Sequence, residues 1–355
     1  MQKNTFNKTL IIGLGLIGGS FSKAIKKANI CLNIVAYDPD IEAIDLAKND
    51  GVISSGSDNL EILVDEIDNF DLIVIATPLS AYEDILMLLS ESISPNTLII
   101  DLGSLKGFIS SVLPKNIAKN FIACHPIAGS DQSGFESSSA ELFSQKKFII
   151  CKNFENENES IEKIENLAQE IGCNVELLKH KKHDEIYGLV SHLPQFLSFM
   201  MKDFSPKDIA GDFFQTAFRL DDSNPEIWED IFELNADNLE KFYIQLFENL
   251  EDLIDNPSAL EALITTHKTN PDSSETFSAI DKGLLEVNFA EIFVRVAFVE
   301  CYLKIPAITQ FQDYAGSGFR DFTSIIKILD LDPEMLMSLL KKNKQKILKI
   351  FNEIS

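Results

Sequence analysis

A glycine-rich turn between a strand and a helix constrains the fold of this chain more than any other feature. The pattern G-x-G-x-x-G spans 13–18, directly after the aliphatic run 9–12, and residues 20–28 contain neither proline nor glycine, which predicts a helix. In such a turn the first glycine makes the bend, the second lets the main chain approach a phosphate, and the third packs helix on strand. The pattern therefore predicts a dinucleotide-binding turn, the alternative being a tight strand–helix turn in another α/β domain. The predicted cofactor-binding residues of the turn are Gly13, Gly15, Leu16, Ile17 and Gly18.

An acidic residue indicates which dinucleotide is bound. A second apolar run, 33–37, ends at Asp38, which lies 20 residues beyond Gly18, where a ribose hydroxyl needs an acceptor. A carboxylate there accepts from the 2′-hydroxyl of NAD and repels the 2′-phosphate of NADP, and no Lys or Arg occurs between Asp38 and Lys48. We therefore expect NAD as the cofactor. We add Thr77 and Pro78 to its binding residues because they follow the next long apolar strand.

The order of apolar runs predicts the fold class. Continuous apolar runs that alternate with helical stretches are typical of a parallel sheet covered on both faces. We expect an α/β Rossmann-type doubly wound sheet over 1–178, including a short strand at 52–53, followed by an all-α helical domain. We divide the helical part into a domain at 179–282, with a linker over 255–282, and a C-terminal helical segment at 283–355.

The C-terminal segment carries a weak internal repeat. Asn224-Pro225-Glu226 recurs 108 residues later as Asp332-Pro333-Glu334. One interpretation is that 283–355 is a partial copy of the helical domain. The other is that two helices share ordinary capping chemistry, since Asn or Asp caps a helix and proline suits its first turn.

The composition excludes several classes of partner. A formal net charge of −24 argues against nucleic acid and anionic membranes, and no apolar run reaches the length of a membrane span. The five cysteines have no metal-binding spacing, so we expect no metal site and reduced thiols in a cytoplasmic protein. Only three arginines occur, so each is a candidate to bind an anionic metabolite.

Two polar residues follow neighbouring strands of the predicted sheet and are the candidate catalytic residues. His125 ends the run 121–124 and precedes Pro126, and a histidine there can accept a proton as a hydroxyl becomes a carbonyl. Ser104, after the strand at 98–101, can hydrogen-bond the same hydroxyl or orient the imidazole. The alternatives without catalysis are a histidine that closes a turn and a serine that caps a helix.

These motifs together resemble the prephenate/arogenate dehydrogenase family. The matching segments are Gly13–Ser20, Asp101–Lys106, His125–Ser130, His183-Asp184 with Ser191–Pro194, and Pro225–Phe232.

The resemblance implies the reaction and the site. It implies NAD-dependent oxidative decarboxylation of prephenate to 4-hydroxyphenylpyruvate in tyrosine biosynthesis, with arogenate or dual (cyclohexadienyl) specificity as the alternative. His125 would bond the substrate's 4-hydroxyl and take its proton as hydride leaves carbon 4, and Ser104 would share that hydroxyl. A small-molecule substrate and a homodimer assembled through helices are also implied. The implied substrate-binding residues are Arg219, Asp131, His192, Gln195 and Trp228.

Two single-residue departures from the family concern the substrate pocket. Gln195 stands where many members have a second histidine, and Asp131 replaces a frequent glutamate. For His192, direct contact with substrate and a buried structural role are equally open. Asp184, Gly188 and Ser191 fall at helical spacing, which predicts either a polar stripe facing a cleft or a close helix–helix contact.

The arginine motif of the family is split between two places. The pattern Gly-Phe-Arg-Asp-Phe-Thr-Arg keeps only Phe218-Arg219 before Pro225, while Gly318–Thr323 is intact but continues with Ser324. We predict that Arg219 clamps the ring carboxylate, with Arg320 as its competitor. The alternative without function is that Arg219 pairs with Asp221 or Asp222 on the surface.

Two other functions compete with this one. A β-hydroxyacid dehydrogenase would be expected to carry a catalytic lysine on a central helix, and 179–207 offers no clear match. A non-catalytic nucleotide-sensing protein would need no catalytic residues, and the joint presence of Ser104, His125 and Arg219 argues against it.

Overall fold

The chain folds into two compact units. Unit 1 comprises Met1–Asp184 and Glu226–Leu234, and unit 2 comprises Glu185–Pro225 and Asn235–Ser355. The computed structural model describes residues 5–130, 132–152, 156–206, 211–266 and 278–354.

Unit 1 contains an eight-stranded sheet, which confirms the predicted doubly wound fold. The strand order is β3-β2-β1-β4-β5-β6-β7-β8, and all neighbours are parallel except β7, which runs antiparallel to β6. The strands are β1 (Phe6–Ile12), β2 (Cys31–Tyr37), β3 (Ser55–Ser57), β4 (Leu72–Ile75), β5 (Leu98–Asp101), β6 (Phe121–Pro126), β7 (Lys147–Cys151) and β8 (Asn174–Leu178).

The sheet order places the ligand crevice. Every residue of β4 and β5 is buried, because helices cover both faces of the sheet. The chain passes from β1 to β2 on one side, whereas β4 pairs with β1 on the other side. Doubly wound sheets bind ligands at the carboxyl ends of strands that diverge in this way. The helices of this unit are α1 (Leu16–Lys27), α2 (Ile41–Asn49), α3 (Leu60–Val64), α4 (Tyr82–Ser90), α5 (Ile109–Val112), α6 (Asn158–Glu170), α7 (His180–Tyr187, which ends in unit 2) and α10 (Pro225–Leu234).

Unit 2 is helical in its described residues, and the C-terminal segment belongs to its core. The helix α14 (Phe289–Leu303) is buried along most of its length and packs against α11 (Ala236–Asp255) and α17 (Pro333–Ile354). Asn249 donates to the Cys301 carbonyl at 3.0 Å, and the Tyr302 hydroxyl donates to the Leu189 carbonyl at 2.9 Å. The helices of this unit are α8 (Leu193–Met200), α9 (Asp212–Ala217), α11 (Ala236–Asp255), α12 (Pro257–Thr266), α13 (Ala279–Val287), α14 (Phe289–Leu303), α15 (Ile308–Phe311), α16 (Ser317–Ser324) and α17 (Pro333–Ile354).

Two local predictions are wrong. The strand expected at 52–53 lies instead at Ser55–Ser57. Val52 and Ile53 lie in the turn that precedes this strand, and they are apolar because they are buried there. The expected linker 255–282 contains the helix α12 and the start of α13. Proline is tolerated in a first helical turn, and Ser278 with Asp281 forms a capping box, a signal that the linker interpretation overlooked. Residues 267–277 lie outside the described part of the chain.

The repeat is visible only at its helix starts. Pro225 begins α10 and Pro333 begins α17. Asn235 then separates α10 from α11, whereas Asn343 lies inside α17. Partial duplication therefore stays a prediction, as do the three predicted domain boundaries.

Among the described helices, none combines the length and the apolar character that a membrane crossing requires.

Candidate active site and cofactor cavity

The glycine turn leaves its main chain open at the start of α1. Gly13 has a φ of +101°, and a Cβ at this position would lie 2.6 Å from the Ala76 carbonyl oxygen, so glycine is required where the turn passes β4. A Cβ on Gly18 would collide with the Gly13 carbonyl. At Gly15 an added Cβ would meet nothing within 4 Å, and no side chain caps α1 there. The turn therefore offers helix N–H groups to an anion.

Asp38 ties the second strand to the glycine turn. Its Oδ2 accepts from the Leu14 N–H at 2.6 Å, and its Oδ1 accepts from the Asp40 N–H at 2.9 Å. An ionised carboxylate has about four acceptor positions, so both oxygens retain capacity for ribose hydroxyls. The structure thus gives Asp38 a second role, shaping the turn, that the sequence pattern did not reveal.

A cavity of about 530 Å³ lies beside this turn within unit 1. Apolar side chains such as Leu60, Ile85 and Leu88 supply part of its wall, as expected for a site that holds an aromatic base. Thr77 Oγ1 is buried there without a hydrogen-bond partner among the described residues. Five of the eight predicted cofactor-binding residues line the cavity, namely Gly13, Gly15, Asp38, Thr77 and Pro78. The other three, Leu16, Ile17 and Gly18, form the first turn of α1.

A buried ion pair holds the loop that carries Ser104. Asp101 and Lys106 are both fully buried and form a salt bridge. Asp101 also accepts from the Tyr82 hydroxyl and from the main-chain N–H groups of Gly103 and Cys124, each at 3.0 Å. Burial, with the adjacent Asp101 charge, raises the pKa of Tyr82 well above its ordinary value, so this hydroxyl stays a donor. The Asp and Lys of the 101–106 motif are therefore scaffold, and Ser104 lies half-buried between them.

His125 belongs to a hydrogen-bonded chain of three side chains, which we call the 125–183–184 triad. Nδ1 of His125 lies 2.8 Å from Nε2 of His183, and Nδ1 of His183 lies 2.8 Å from Oδ1 of Asp184. Asp184 accepts in turn from the N–H groups of Lys106 at 2.9 Å and Gly107 at 2.6 Å. Strand β6, helix α7 and the loop after β5 thus meet at one point of unit 1. The sequence matched His183-Asp184 to a motif but missed its contact with His125.

Trp228, another residue predicted to bind substrate, belongs to unit 1. Trp228, on α10, is half-buried and stacks on Phe232 with ring centroids 5.7 Å apart. On the same helix, Asp230 accepts from the Ser80 N–H at 3.0 Å. Asp131 lies outside the described residues.

In unit 2, His192 and Gln195 are buried and bonded within the protein. Nδ1 of His192 accepts from the Asn235 amide at 2.9 Å, which favours the structural interpretation of this histidine. Gln195 donates to the Leu220 carbonyl at 2.8 Å and accepts from the Ser223 hydroxyl at 3.2 Å. Gln195 therefore supports the main chain that directly follows Arg219.

The helix that carries His192 is not uniformly α-helical. A π-helical turn occupies Gly188–His192, so the α-helical spacing assumed for Asp184, Gly188 and Ser191 does not hold. A Cβ on Gly188 would lie 3.0 Å from the Asn235 amide nitrogen. A side chain at residue 188 would therefore require Asn235 or Asn238 to shift by a few tenths of an ångström.

The two parts of the split arginine motif meet in unit 2. Arg219 donates through Nε at 2.8 Å and Nη2 at 2.5 Å to Oδ2 of Asp321. The alternative partners, Asp221 and Asp222, bind other residues. Asp221 is buried and binds Arg295 through both carboxylate oxygens at 2.9 Å, and Asp222 lies 4.0 Å from the Lys202 ammonium. Arg320 is exposed, and its guanidinium donates a long bond, 3.4 Å, to the Ala315 carbonyl.

The five cysteines are buried and are not joined by disulfide bonds. Burial raises the pKa of Cys124 well above its ordinary value and raises those of Cys151, Cys173 and Cys301 to about 12. Cys124 beside His125 is therefore a poor nucleophile.

Comparison with known families agrees with this geometry. Residues 21–177 match the model of the prephenate dehydrogenase nucleotide-binding domain, and residues 179–269 and 285–355 match the model of the prephenate dehydrogenase dimerization domain. The chain belongs to the prephenate dehydrogenase family. A single dimerization-domain model therefore spans both helical segments.

The relatives share low sequence identity with this chain, but each match covers most of its length. The chain is 27% identical to the prephenate dehydrogenase of Bacillus subtilis over 84% of its own length and 80% of that protein. It is 27% identical to a cyclohexadienyl dehydrogenase of Zymomonas mobilis over 65% of its length and 82% of that protein. The crystal structure of A. aeolicus prephenate dehydrogenase in complex with hydroxyphenyl propionate and NAD+ is similar at 28% identity. Its TM-score is 0.66, and the match covers 72% of this chain and 93% of that one.

Proposed function

We propose that this protein catalyses the NAD-dependent oxidative decarboxylation of prephenate to 4-hydroxyphenylpyruvate, a step of tyrosine biosynthesis. One observation carries the proposal: His125 is half-buried at the carboxyl end of β6, with Nδ1 engaged by His183. We assign the other ring nitrogen, Nε2, to the substrate hydroxyl. Family membership supports the reaction class.

The cofactor cavity fits NAD. The open main chain at Gly15 suits a pyrophosphate, and Asp38 suits the adenosine ribose. The Thr77 hydroxyl, which has no partner in the part of the chain that the structure describes, can bond a polar group of the bound molecule. The related A. aeolicus enzyme is described with NAD+ bound. Bound NAD would accept the hydride that the substrate loses from carbon 4.

The residues of this chain would handle the proton and the charges. His125 would accept the proton of the 4-hydroxyl at Nε2 as that carbon becomes a carbonyl, and Ser104 would bond the same oxygen. Loss of the ring carboxylate as carbon dioxide then gives an aromatic product. Arg219 would hold that carboxylate before it leaves, because its guanidinium retains N–H donors beyond the two used by Asp321.

Substrate choice and assembly complete the proposal. Gln195 is neutral and bonded to Leu220 and Ser223, so it offers no charge that would separate a keto acid from an amino acid. Dual specificity is therefore the second candidate, and the Z. mobilis relative is named a cyclohexadienyl dehydrogenase.

We also propose that the protein is a homodimer, because residues 179–269 and 285–355 match a dimerization domain. We propose the cytoplasm as its location.

The decisive experiment compares substrates and cofactors side by side. Reduced cofactor is followed at 340 nm with prephenate and with arogenate, each with NAD and with NADP. We expect the highest kcat/KM for prephenate with NAD. Comparable values for arogenate would establish dual specificity, and no turnover of either substrate would refute the proposal.

A further inference from the structure

We infer that His183 and Asp184 are positioning residues that fix the tautomer of His125, so that its Nε2 is the unprotonated base. The inference rests on the proposed function for its meaning in catalysis. The protonation pattern itself follows from the hydrogen bonds of unit 1. His183 is fully buried and Asp184 is 6% exposed, so neither depends on solvent for its bonds.

The direction of the hydrogen bonds is set at the main chain. The N–H groups of Lys106 and Gly107 can only donate, and they reach different oxygens of Asp184. Both oxygens of Asp184 therefore act as acceptors, as expected for an ionised carboxylate. Because Oδ1 also faces Nδ1 of His183 at 2.8 Å, that ring nitrogen must carry a proton.

The same logic passes through His183 to His125. A neutral imidazole with its proton on Nδ1 has a lone pair on Nε2, and this lone pair lies 2.8 Å from Nδ1 of His125. With His183 neutral, the bond forms only if Nδ1 of His125 is the donor. Neutral His125 then keeps its lone pair on Nε2, the nitrogen proposed to face substrate.

This arrangement also supports the charged form of His125. When Nε2 takes the proton of the substrate hydroxyl, an O–H bond breaks and an N–H bond forms, and the imidazolium still donates from Nδ1 to His183. The Asp184 carboxylate, one residue further along the triad, balances the new positive charge. A carboxylate that orients a catalytic histidine has this role in serine proteases, where it is not itself protonated.

Three variants separate positioning from general support of the fold. His183→Leu removes the acceptor, and His183→Gln keeps one, because the glutamine Oε1 can replace Nε2. His180→Gln, one turn earlier on α7 and outside the triad, is the matched control. We expect His183→Leu to lower kcat by about 10²-fold with little change in the KM for NAD, and His183→Gln to recover at least about tenfold of that loss. His180→Gln should behave like the unaltered protein.

Nitrogen-15 NMR of the histidine rings tests the tautomer without turnover. The chain has only five histidines, and His125 can be assigned by its loss in His125→Asn. We expect a protonated Nδ1 and an unprotonated Nε2 for His125 near neutral pH, and a shift towards the Nε2-protonated form in His183→Leu.

The outcomes distinguish the inference from the proposed function. A proton on Nε2 of His125 in the unaltered protein would overturn the inference, as would equal kcat for His183→Leu, even with full prephenate turnover. The expected tautomer without turnover of prephenate would keep the inference and refute the function. Should His183→Leu fail to fold, NMR of the unaltered protein together with the kinetics of His183→Gln still decides the question.

Discussion

Replacing Arg219 by lysine tests which copy of the split motif binds substrate. A guanidinium can hold a carboxylate with two parallel bonds, whereas an ammonium forms one contact with less geometric definition. A hydrogen bond to a charged group contributes about 1.5–3 kcal/mol. Loss of one such bond corresponds to a rise of about 10- to 150-fold in the KM for prephenate. We therefore expect Arg219→Lys to raise this KM by roughly that factor, with a smaller effect on kcat.

The same substitution should barely change stability, which separates binding from folding. The Arg219 side chain is 37% exposed and that of Asp321 is 17% exposed, so solvent screens their ion pair. Such exposed pairs contribute about 0–1 kcal/mol to the free energy of unfolding. By contrast, Asp221→Asn would leave Arg295, which is 2% exposed, without a full partner and should lower the Tm clearly.

Steady-state kinetics of Arg219→Lys and Arg320→Lys, with Tm measured for both, form the assay. Arg320 is exposed and donates a long bond, 3.4 Å, to the Ala315 carbonyl, so its replacement is the matched control with unchanged KM. A large rise in KM confined to Arg320→Lys would show that the later copy binds substrate. An unchanged KM in Arg219→Lys would refute the clamp.

The remaining predictions concern His125, Asp38, the C-terminal segment and the cysteines. His125→Asn should lower kcat by about 10²-fold or more while NAD binding, followed by fluorescence titration, stays nearly unchanged; equal turnover would remove its catalytic role. Asp38→Ser should raise the KM for NAD and relax discrimination against NADP, and efficient use of NADP by the unaltered protein would contradict the argument from this carboxylate. A chain ending at Lys282 lacks α14, whose buried side chains each stabilise the fold by about 1.5–3 kcal/mol, so circular dichroism should show loss of cooperative unfolding; a stable, active truncation would make the segment an appendage. Because burial raises the pKa of Cys124, Cys151, Cys173 and Cys301, thiolate forms only above those raised values, and a thiol reagent at pH 8 should label them only after unfolding; rapid labelling of the folded protein would contradict their burial.

Local patterns were sufficient to predict much of the fold and the cofactor turn. The signals all lie within the first 40 residues, namely the apolar run at 9–12, the glycines at 13–18 and Asp38. The turn that they form depends on contacts between residues this close in sequence, such as the bond from Leu14 to Asp38. Errors arose where a local signal was ambiguous. Val52 and Ile53 are apolar because they are buried, not because they form a strand, and Pro257 begins a helix where prolines suggested a linker.

The contacts that complete the candidate site were beyond local pattern reading. His125 and His183 are 58 residues apart, and Arg219 and Asp321 are 102 residues apart. Such pairs depend on how whole elements pack. In the first case β6 and α7 must meet, and in the second α16 must reach the turn before α10. Motif matching placed all four residues in family segments, yet it could not say which would touch.

The stoichiometry of one reaction tests the central claim most directly. Purified protein is mixed with prephenate and limiting NAD, and NADH, carbon dioxide and 4-hydroxyphenylpyruvate are quantified in the same sample. The proposed function predicts equal amounts of all three products, with all three falling together in His125→Asn. NADH without carbon dioxide, or no NADH from a protein that still binds NAD, would contradict it.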